Sequence, residues 1–295
     1  QGAKEVEMSY FISRNGEQAP TGFIGSTIPA GAKRIVCMSS SYIAMLDALG
    51  QVNRIVAVSG IDYVSNPYIL AHKDSIKDMG PEMNYELLLG LKPDIVLLYG
   101  IGDAQTAITD KLKELSIPYI YMGEYLEESP LGKAEWMVVL SELTDSREKG
   151  IEIFSEIPKR YLSLKALTES VGQCPTVMFN TPWNDSWVMP STKSYMAQLV
   201  ADAGAEYIYK ENSSNSSTSI GLETAYGLIQ KADYWINVGS ATSLDELKTV
   251  NPKFADAKAV RERTVYNNNL RLTPTGGNDY WESAVIRPDG VLRDL

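Results

Sequence analysis

A chain of 295 residues that holds one histidine and two cysteines offers little to a catalyst. His72 lies in NPYILAHKD, after a turn proline and beside charged residues, where a solvated loop histidine is expected. A histidine-rich metal site, and any triad that does not use this one residue, are excluded. Cys37 and Cys174 are far apart and form no CxxC; both read as small buried residues, and their number assigns no redox compartment. There is no GxSxG elbow, no GxxxxGK[ST] and no GxGxxG after a strand. Glu86 and Glu223 could be read as a carboxylate pair for glycoside chemistry. Each opens a helix in a separate half, however, and nothing brings them within the ~5–10 Å which that reaction needs. Neither an enzyme nor a resident metal or cofactor is expected.

Binding chemistry is better supplied. Tyr42, Tyr63 and Tyr99 in the first half, and Asn180, Trp183, Trp187 and Met189 in the second, are bulky or neutral polar residues close to strand ends. Such residues suit a large, partly apolar ligand with stackable faces and few polar anchors. About half of them read equally well as core, since tyrosine and tryptophan are often mostly buried. The formal net charge of −10 argues against nucleic acid or an anionic membrane surface as main partner, because both need clustered lysine and arginine.

The elements that would position these residues follow from periodicity. KRIVCM (33–38), RIVAVS (54–59), DIVLLY (94–99) and PYIYM (118–122) are short apolar runs. They alternate with helical patterns within SSSYIAMLDALG, at 84–91 and at 106–115, which predicts a mainly parallel sheet covered on both faces. Ligand sites in such sheets lie outside the carboxyl ends of the strands, here residues 39–41 with Ser40, 59–63, 99–102 and 123–125. Residues 1–31, with RNGE as a hairpin turn and IPAG as a second turn, form an arm on the first lobe.

Residues 145–169 carry Asp145 as N-cap with Glu148 three residues on, then a stripe of Ile151, Phe154, Ile157, Tyr161, Leu164 and Leu167. One helix there would run roughly 37 Å and link two lobes, 32–144 and 170–295, allowing only small hinge motions; Pro158 predicts a kink or a split into two helices. Past it, TVMFN, NDSWVM and DYWINVG read as strands, a helix is expected near 194–203, and ENSSNSSTS (211–219) reads as a mobile surface loop.

A weak internal repeat ties the halves together. NYELLLGLKPDIVLLYG (84–100) and GLETAYGLIQKADYWINVG (221–239) each open a helix with Glu at the third position and close on an apolar strand and Gly. Glu86 and Glu223 thus hold equivalent places. They are either first-turn acids favoured by the helix dipole, worth ~0.3–1 kcal/mol, or functional.

KRIVCMSSSYIAMLDALG, MNYELLLGLKPDIVLL, the linking helix after ELTDSREKG and the closing NDYWESAVIRPDGVLRDL together resemble the helical-backbone periplasmic substrate-binding proteins of ABC importers for cobalamin, ferric siderophores and haem. The resemblance covers residues 33–295. It implies an α/β fold of two Rossmann-like lobes joined by a single long helix, with the ligand cleft between them. It further implies a monomeric, exported protein, periplasmic or lipid-anchored, whose signal peptide has been removed from a chain opening QGAKEVE. By the same resemblance Glu86 and Glu223 dock into arginine pockets of a permease, and ligand-facing residues lie near 211–219. The longer arm and Pro158 depart from the family without touching the site.

Within that frame the ligand-binding set is Ser40, Tyr42, Tyr63, Tyr99, Trp183, Trp187, Met189 and Arg271, with the Asn184-Asp185 turn lifting both tryptophans towards the opening. An anionic ferric siderophore would call for cations at strand ends, and Arg271 in NNNLRLTPTGG is the one plausible candidate. That tilts the expectation towards cobalamin or a related corrinoid over a siderophore or haem. A surface receptor that captures ligand without a permease would share the fold and differ only in its use of the two glutamates.

Overall fold

The computed structural model describes residues 9–80, 82–100, 105–170, 172 and 174–295. The opening residues of the arm, and residues 101 and 102 of an expected strand-end loop, lie outside the described residues. The strands are β1 (Tyr10–Ser13), β2 (Ser26–Pro29), β3 (Ile35–Cys37), β4 (Ile55–Val58), β5 (Lys77–Asp78), β6 (Ile95–Tyr99), β7 (Tyr119–Met122), β8 (Thr176–Phe179), β9 (Pro182–Trp183), β10 (Ser186–Met189), β11 (Glu206–Tyr207), β12 (Thr218–Gly221), β13 (Tyr234–Ile236) and β14 (Val265–Tyr266). The helices are α1 (Ser40–Ala48), α2 (Pro67–Ala71), α3 (Tyr85–Leu91), α4 (Gln105–Glu114), α5 (Pro130–Leu143), α6 (Arg147–Thr168), α7 (Tyr195–Asp202), α8 (Leu222–Ile229), α9 (Leu244–Val250), α10 (Lys258–Glu262), α11 (Asp279–Ser283) and α12 (Pro288–Asp294).

Two compact units divide the chain. The first takes the residues up to Leu126 with Lys133–Ile157 and Leu272–Ile286; the second takes Glu127–Gly132, Pro158–Arg271 and Arg287–Leu295. The boundary falls inside α6, and the segment Leu272–Ile286 belongs to the first unit rather than to the second half of the sequence.

In the first unit five parallel strands are ordered β5-β4-β3-β6-β7. Their apolar runs are buried on both faces, as a parallel sheet between helices requires, with Val36, Ala57, Val96 and Leu98 packed on Leu88 of α3 and Leu112 of α4. The second unit holds four parallel strands ordered β11-β8-β13-β14 and a separate antiparallel sheet β12-β10-β9. Numbered by sequence within each unit, and leaving the edge strand β5 aside, both parallel sheets read second, first, third, fourth. The internal repeat is therefore a repeat of topology. Asn84 caps α3 by accepting the Leu87 amide at 3.0 Å, while the matching α8 has Gly221 at its cap and no side-chain bond.

Several expectations give way. RNGE forms a turn, with the Glu17 amide on the Arg14 carbonyl at 2.8 Å, but β1 and β2 pair in parallel, because a second turn at 20–23 intervenes before the chain re-enters. Asp145 is not the N-cap of α6. Its φ of +55° places it just past the end of α5, and Ser146 takes the cap, its carbonyl accepting the Gly150 amide at 3.1 Å. The helix then runs unbroken through Pro158. NDSWVM does form a strand, but an antiparallel one paired with β12, so it lies outside the parallel sheet. The Ser- and Asn-rich run before β12 is knitted together: Asn212 is buried, its side-chain amide donates to the Ser216 carbonyl at 2.8 Å, and Ser191 donates to Ser214 at 2.5 Å. Of the cysteines, Cys37 is buried and Cys174 is exposed. The helix α5 had no counterpart among the sequence expectations.

Candidate functional site

In each unit the carboxyl ends of the parallel strands gather the polar and aromatic residues. In the first unit, Ser39 and Ser41 face one another at 2.9 Å after β3, and Ser41 donates to Glu124 Oε1 at 2.8 Å, joining the ends of β3 and β7. Glu124 is buried and its Oε2 has no hydrogen-bond partner among the described residues; desolvation raises its pKa against the opposing pull of Ser41. Tyr42 lies wholly in the core beneath this edge, donating to the Leu98 carbonyl at 3.3 Å, and burial drives its phenol pKa far up. Tyr125 donates to the Gly100 carbonyl and so ties the ends of β6 and β7.

Two tyrosines present their rings to solvent on this edge: Tyr63 at 68% exposure and Tyr99 at 41%. Ser40, the first residue of α1, is half-buried. The loop that bears Tyr63 is held by the returning segment Leu272–Ile286. Thr275 donates to the Asp62 carbonyl, and the Ser65 amide donates to Glu282 Oε2 at 2.8 Å. At Gly277 an added Cβ would lie 2.3 Å from the Tyr63 carbonyl, so only glycine allows this approach. The same segment carries Trp281, 53% exposed and set edge-on to Tyr280 at 4.9 Å, an aromatic that sequence reasoning missed.

In the second unit the pleat decides which tryptophan is available. Trp183 pairs with Ser186 across a turn whose Asn184 has φ +53°, and it is 73% exposed; Trp187, one residue on, points to the opposite face. Trp187 is fully buried against Trp235 at 5.7 Å and Phe254 at 5.1 Å, its indole donating to the Phe179 carbonyl at 2.8 Å. Met189 lies on the same inward face, also fully buried. The expectation that both tryptophans are lifted outward is thus corrected: Trp187, Met189 and Tyr42 are core residues, and Trp183 alone of the second-unit aromatics proposed from sequence stands in solvent. Arg271 is exposed, just past the run Asn267, Asn268, Asn269.

The middle one of those asparagines, Asn268, belongs to a ladder that the sequence reading did not assemble. Asn268 donates to Asn237 Oδ1 at 3.0 Å, Asn237 to Asn180 Oδ1 at 2.7 Å, and Asn180 to the Val188 carbonyl at 3.0 Å. It links the ends of β8, β13 and β14. The sequence signal was present: each of these strands is followed at once by asparagine.

Glu86 and Glu223 are each the second residue of a helix, α3 and α8, and both are exposed. Each helix leads by a short turn into the third strand of its unit's shared order, β6 or β13. Such a helix runs antiparallel to the strand it enters, so its first turn lies at the carboxyl-end edge of the sheet. His72 is exposed, stacked on Tyr68 at 4.0 Å.

Two parallel sheets of repeated topology thus carry polar and aromatic residues at their carboxyl ends, an arrangement suited to binding. The chain belongs to the periplasmic binding protein family, whose model matches residues 35–269. An uncharacterised lipoprotein of Methanocaldococcus jannaschii is 27% identical over 276 residues, covering 89% of this chain and 64% of the relative, so the chain spans under two thirds of that protein's length. A vitamin B12-binding protein of Yersinia pestis is 35% identical over 97 residues, 32% of this chain and 33% of the relative. The solved periplasmic haem-binding protein of Vibrio cholerae superposes with a TM-score of 0.67 at 16% identity, covering 88% of this chain and 98% of that one, a likeness of fold. The family places the protein in the periplasm. Among the described residues no helix is long and apolar enough to cross a membrane.

Proposed function

We propose that this chain is the substrate-binding component of an ABC importer that captures cobalamin or a related corrinoid and delivers it to a permease docking on Glu86 and Glu223. The observation that carries the transport reading is the placement of those two glutamates: exposed, second in matching helices of two units with the same strand order. A first-turn acid favoured by the helix dipole explains either one alone. It does not explain why both occupy the same node of a repeated topology.

The ligand reading rests on chemistry at the strand ends. Tyr63, Tyr99 and Trp183, with Trp281 added, offer exposed aromatic faces for a flat apolar ligand. The 97-residue likeness to a vitamin B12-binding protein points the same way. For haem, the single histidine stacks on Tyr68, with Nδ1 2.7 Å from the Tyr68 carbonyl. For an anionic siderophore, Arg271 is a slender complement of positive charge.

The test is an absorption spectrum of the protein after incubation with cobalamin, haem or ferric siderophores and desalting. A retained corrinoid band is expected, weakened by Trp183→Ala through a loss of ~1–3 kcal/mol of stacking. Retention of haem or a ferric chelate in its place would reassign the ligand, and retention of none would overturn the chelate reading.

A further inference from the structure

The asparagine ladder of the second unit has properties that a merely structural edge does not need. Asn180 and Asn237, directly after β8 and β13, adopt φ of +67° and +60°, a conformation that asparagine tolerates better than most residues. Their side chains stand half-exposed and in line: Asn268 to Asn237 at 3.0 Å, Asn237 to Asn180 at 2.7 Å. A second rank lies beside them. Asn267 donates to the carbonyls of Gly239 at 2.8 Å and Ala241 at 3.0 Å, and Asn269 to Ala241 at 3.0 Å.

A primary amide has two N–H donors and an oxygen with two lone pairs. Asn237 gives one N–H and receives one bond at its oxygen; Asn180 likewise gives one N–H and receives one bond. Each retains a donor and an acceptor for a molecule arriving from solvent. The segments that bear the ladder hold no ionisable side chain: 180–183 reads NTPW, 237–242 reads NVGSAT and 267–270 reads NNNL, with Arg271 the next residue in the last. At the fourth strand end, Lys210 is paired to Glu206 at 3.0 Å.

We infer that this ladder recognises an uncharged ligand rim of amides or hydroxyls and selects against carboxylate- or catecholate-rimmed chelates of the same size. The inference rests on the binding-protein reading above and specifies the charge class of the ligand. An amide or hydroxyl on the ligand can donate to a free Oδ1 lone pair and accept from a free Nδ2 hydrogen. A carboxylate can only accept, and it would lose its water against a row of neutral amides that leaves its charge uncompensated. Selectivity thus comes from what the wrong ligand leaves unpaired.

The experiment uses the full chain in equilibrium competition. The probes are cyanocobalamin, its mono-acids in which one peripheral amide is hydrolysed, haem, a neutral ferric hydroxamate and an anionic ferric catecholate. Each amide-to-acid change that reaches the ladder is expected to weaken binding by about tenfold, the size of one well-placed hydrogen bond lost. The neutral chelates should outcompete the anionic ones. Asn237→Gly, which keeps the left-handed backbone while removing the amide, should reduce the discrimination between amide and acid to within about threefold with an unchanged melting temperature. Arg271→Gln should leave the discrimination intact. Tighter binding of an anionic chelate, or discrimination that survives Asn237→Gly and Asn180→Gly but is lost in Arg271→Gln, would overturn the inference while leaving the binding-protein reading standing. Retention of no chelate at all would overturn the inference together with the chelate reading.

Discussion

Glu282 is almost fully buried on α11, with the Ser65 amide 2.8 Å from its Oε2. Burial, abetted by the negative charge of Asp279, pushes its carboxyl up to about 7, while the Ser65 bond pulls the other way. A folded-state pKa above the ordinary 4.5 means that the native protein holds this proton more tightly than the unfolded chain does. The associated stability is complete below about pH 4.5 and is lost as pH rises through about 7, a difference of up to about 3 kcal/mol. Glu282→Gln should therefore flatten the fall in stability between about pH 5 and pH 8 and leave the variant more stable than the parent at the alkaline end. Denaturant titrations at both pH values check this; parallel behaviour of the two proteins would show that the carboxyl ionises without cost. At this scale the sequence was only partly legible. That Tyr42, Trp187 and Met189 lie near strand ends could be read, but the face each side chain takes is set by pleat and register, which adjacency in sequence does not encode. Trp183 and Trp187 differ by the parity of one residue after a two-residue turn. The asparagine ladder was missed for a similar reason, since its members come from three strands far apart in the chain.

At the scale of elements, parallel strands were the most readable feature, because burial on both faces leaves an apolar run such as IVLLY in β6 with no alternation to misread. The helix α5 was not, as its LGKAEWMVVLSEL buries Ala134, Met137, Leu140 and Leu143 while further apolar residues on its other faces blur the period. The pairing of β10 with β12 was hidden inside a Ser- and Asn-rich run that resembles a loop. In α6 the stripe holds at Ile157 and Tyr161 but not at its ends, where Ile151 and Leu167 are exposed: Tyr161 is buried with Leu199 and Leu292, and its hydroxyl donates to Asp202 at 2.7 Å, an acid also reached by Lys165 at 2.8 Å and Gln198 at 2.8 Å. Such anchoring lets the helix continue across Pro158, whose ring denies the Phe154 carbonyl its usual amide partner. Interior proline costs ~3 kcal/mol in a helix, and part of that is offset by the stiffer unfolded chain. Pro158→Ala is accordingly expected to raise unfolding free energy by ~1–2 kcal/mol, measured by denaturant titration. A loss of stability would mean that the proline's own packing outweighs the missing bond.

For the molecule as a whole, the repeated strand order turns two exposed acids into a pair. Glu86 in α3 and Glu223 in α8 hold the same position in their units, and each is exposed at the first turn of a helix that feeds the third strand. A permease with two-fold symmetry could meet each unit with one arginine. Because neither glutamate is packed, Glu86→Ala and Glu223→Ala should each change stability by no more than ~0.5 kcal/mol and leave ligand affinity unaltered. Docking should respond far more strongly, since a charge pair desolvated at an interface loses ~2–5 kcal/mol when one partner is truncated. Surface charges that merely steer encounter would lower the association rate and be erased by salt, whereas a desolvated pair raises the dissociation rate. The measurement is binding of each single variant and the double variant to the permease in lipid discs, at low and high salt, with ligand titration of the same samples. A dissociation rate raised in both singles and most in the double, with ligand binding intact, is the expected result. Undisturbed docking of the double variant would return both residues to the role of dipole-stabilising first-turn acids, and loss of ligand binding would place them in the ligand site instead.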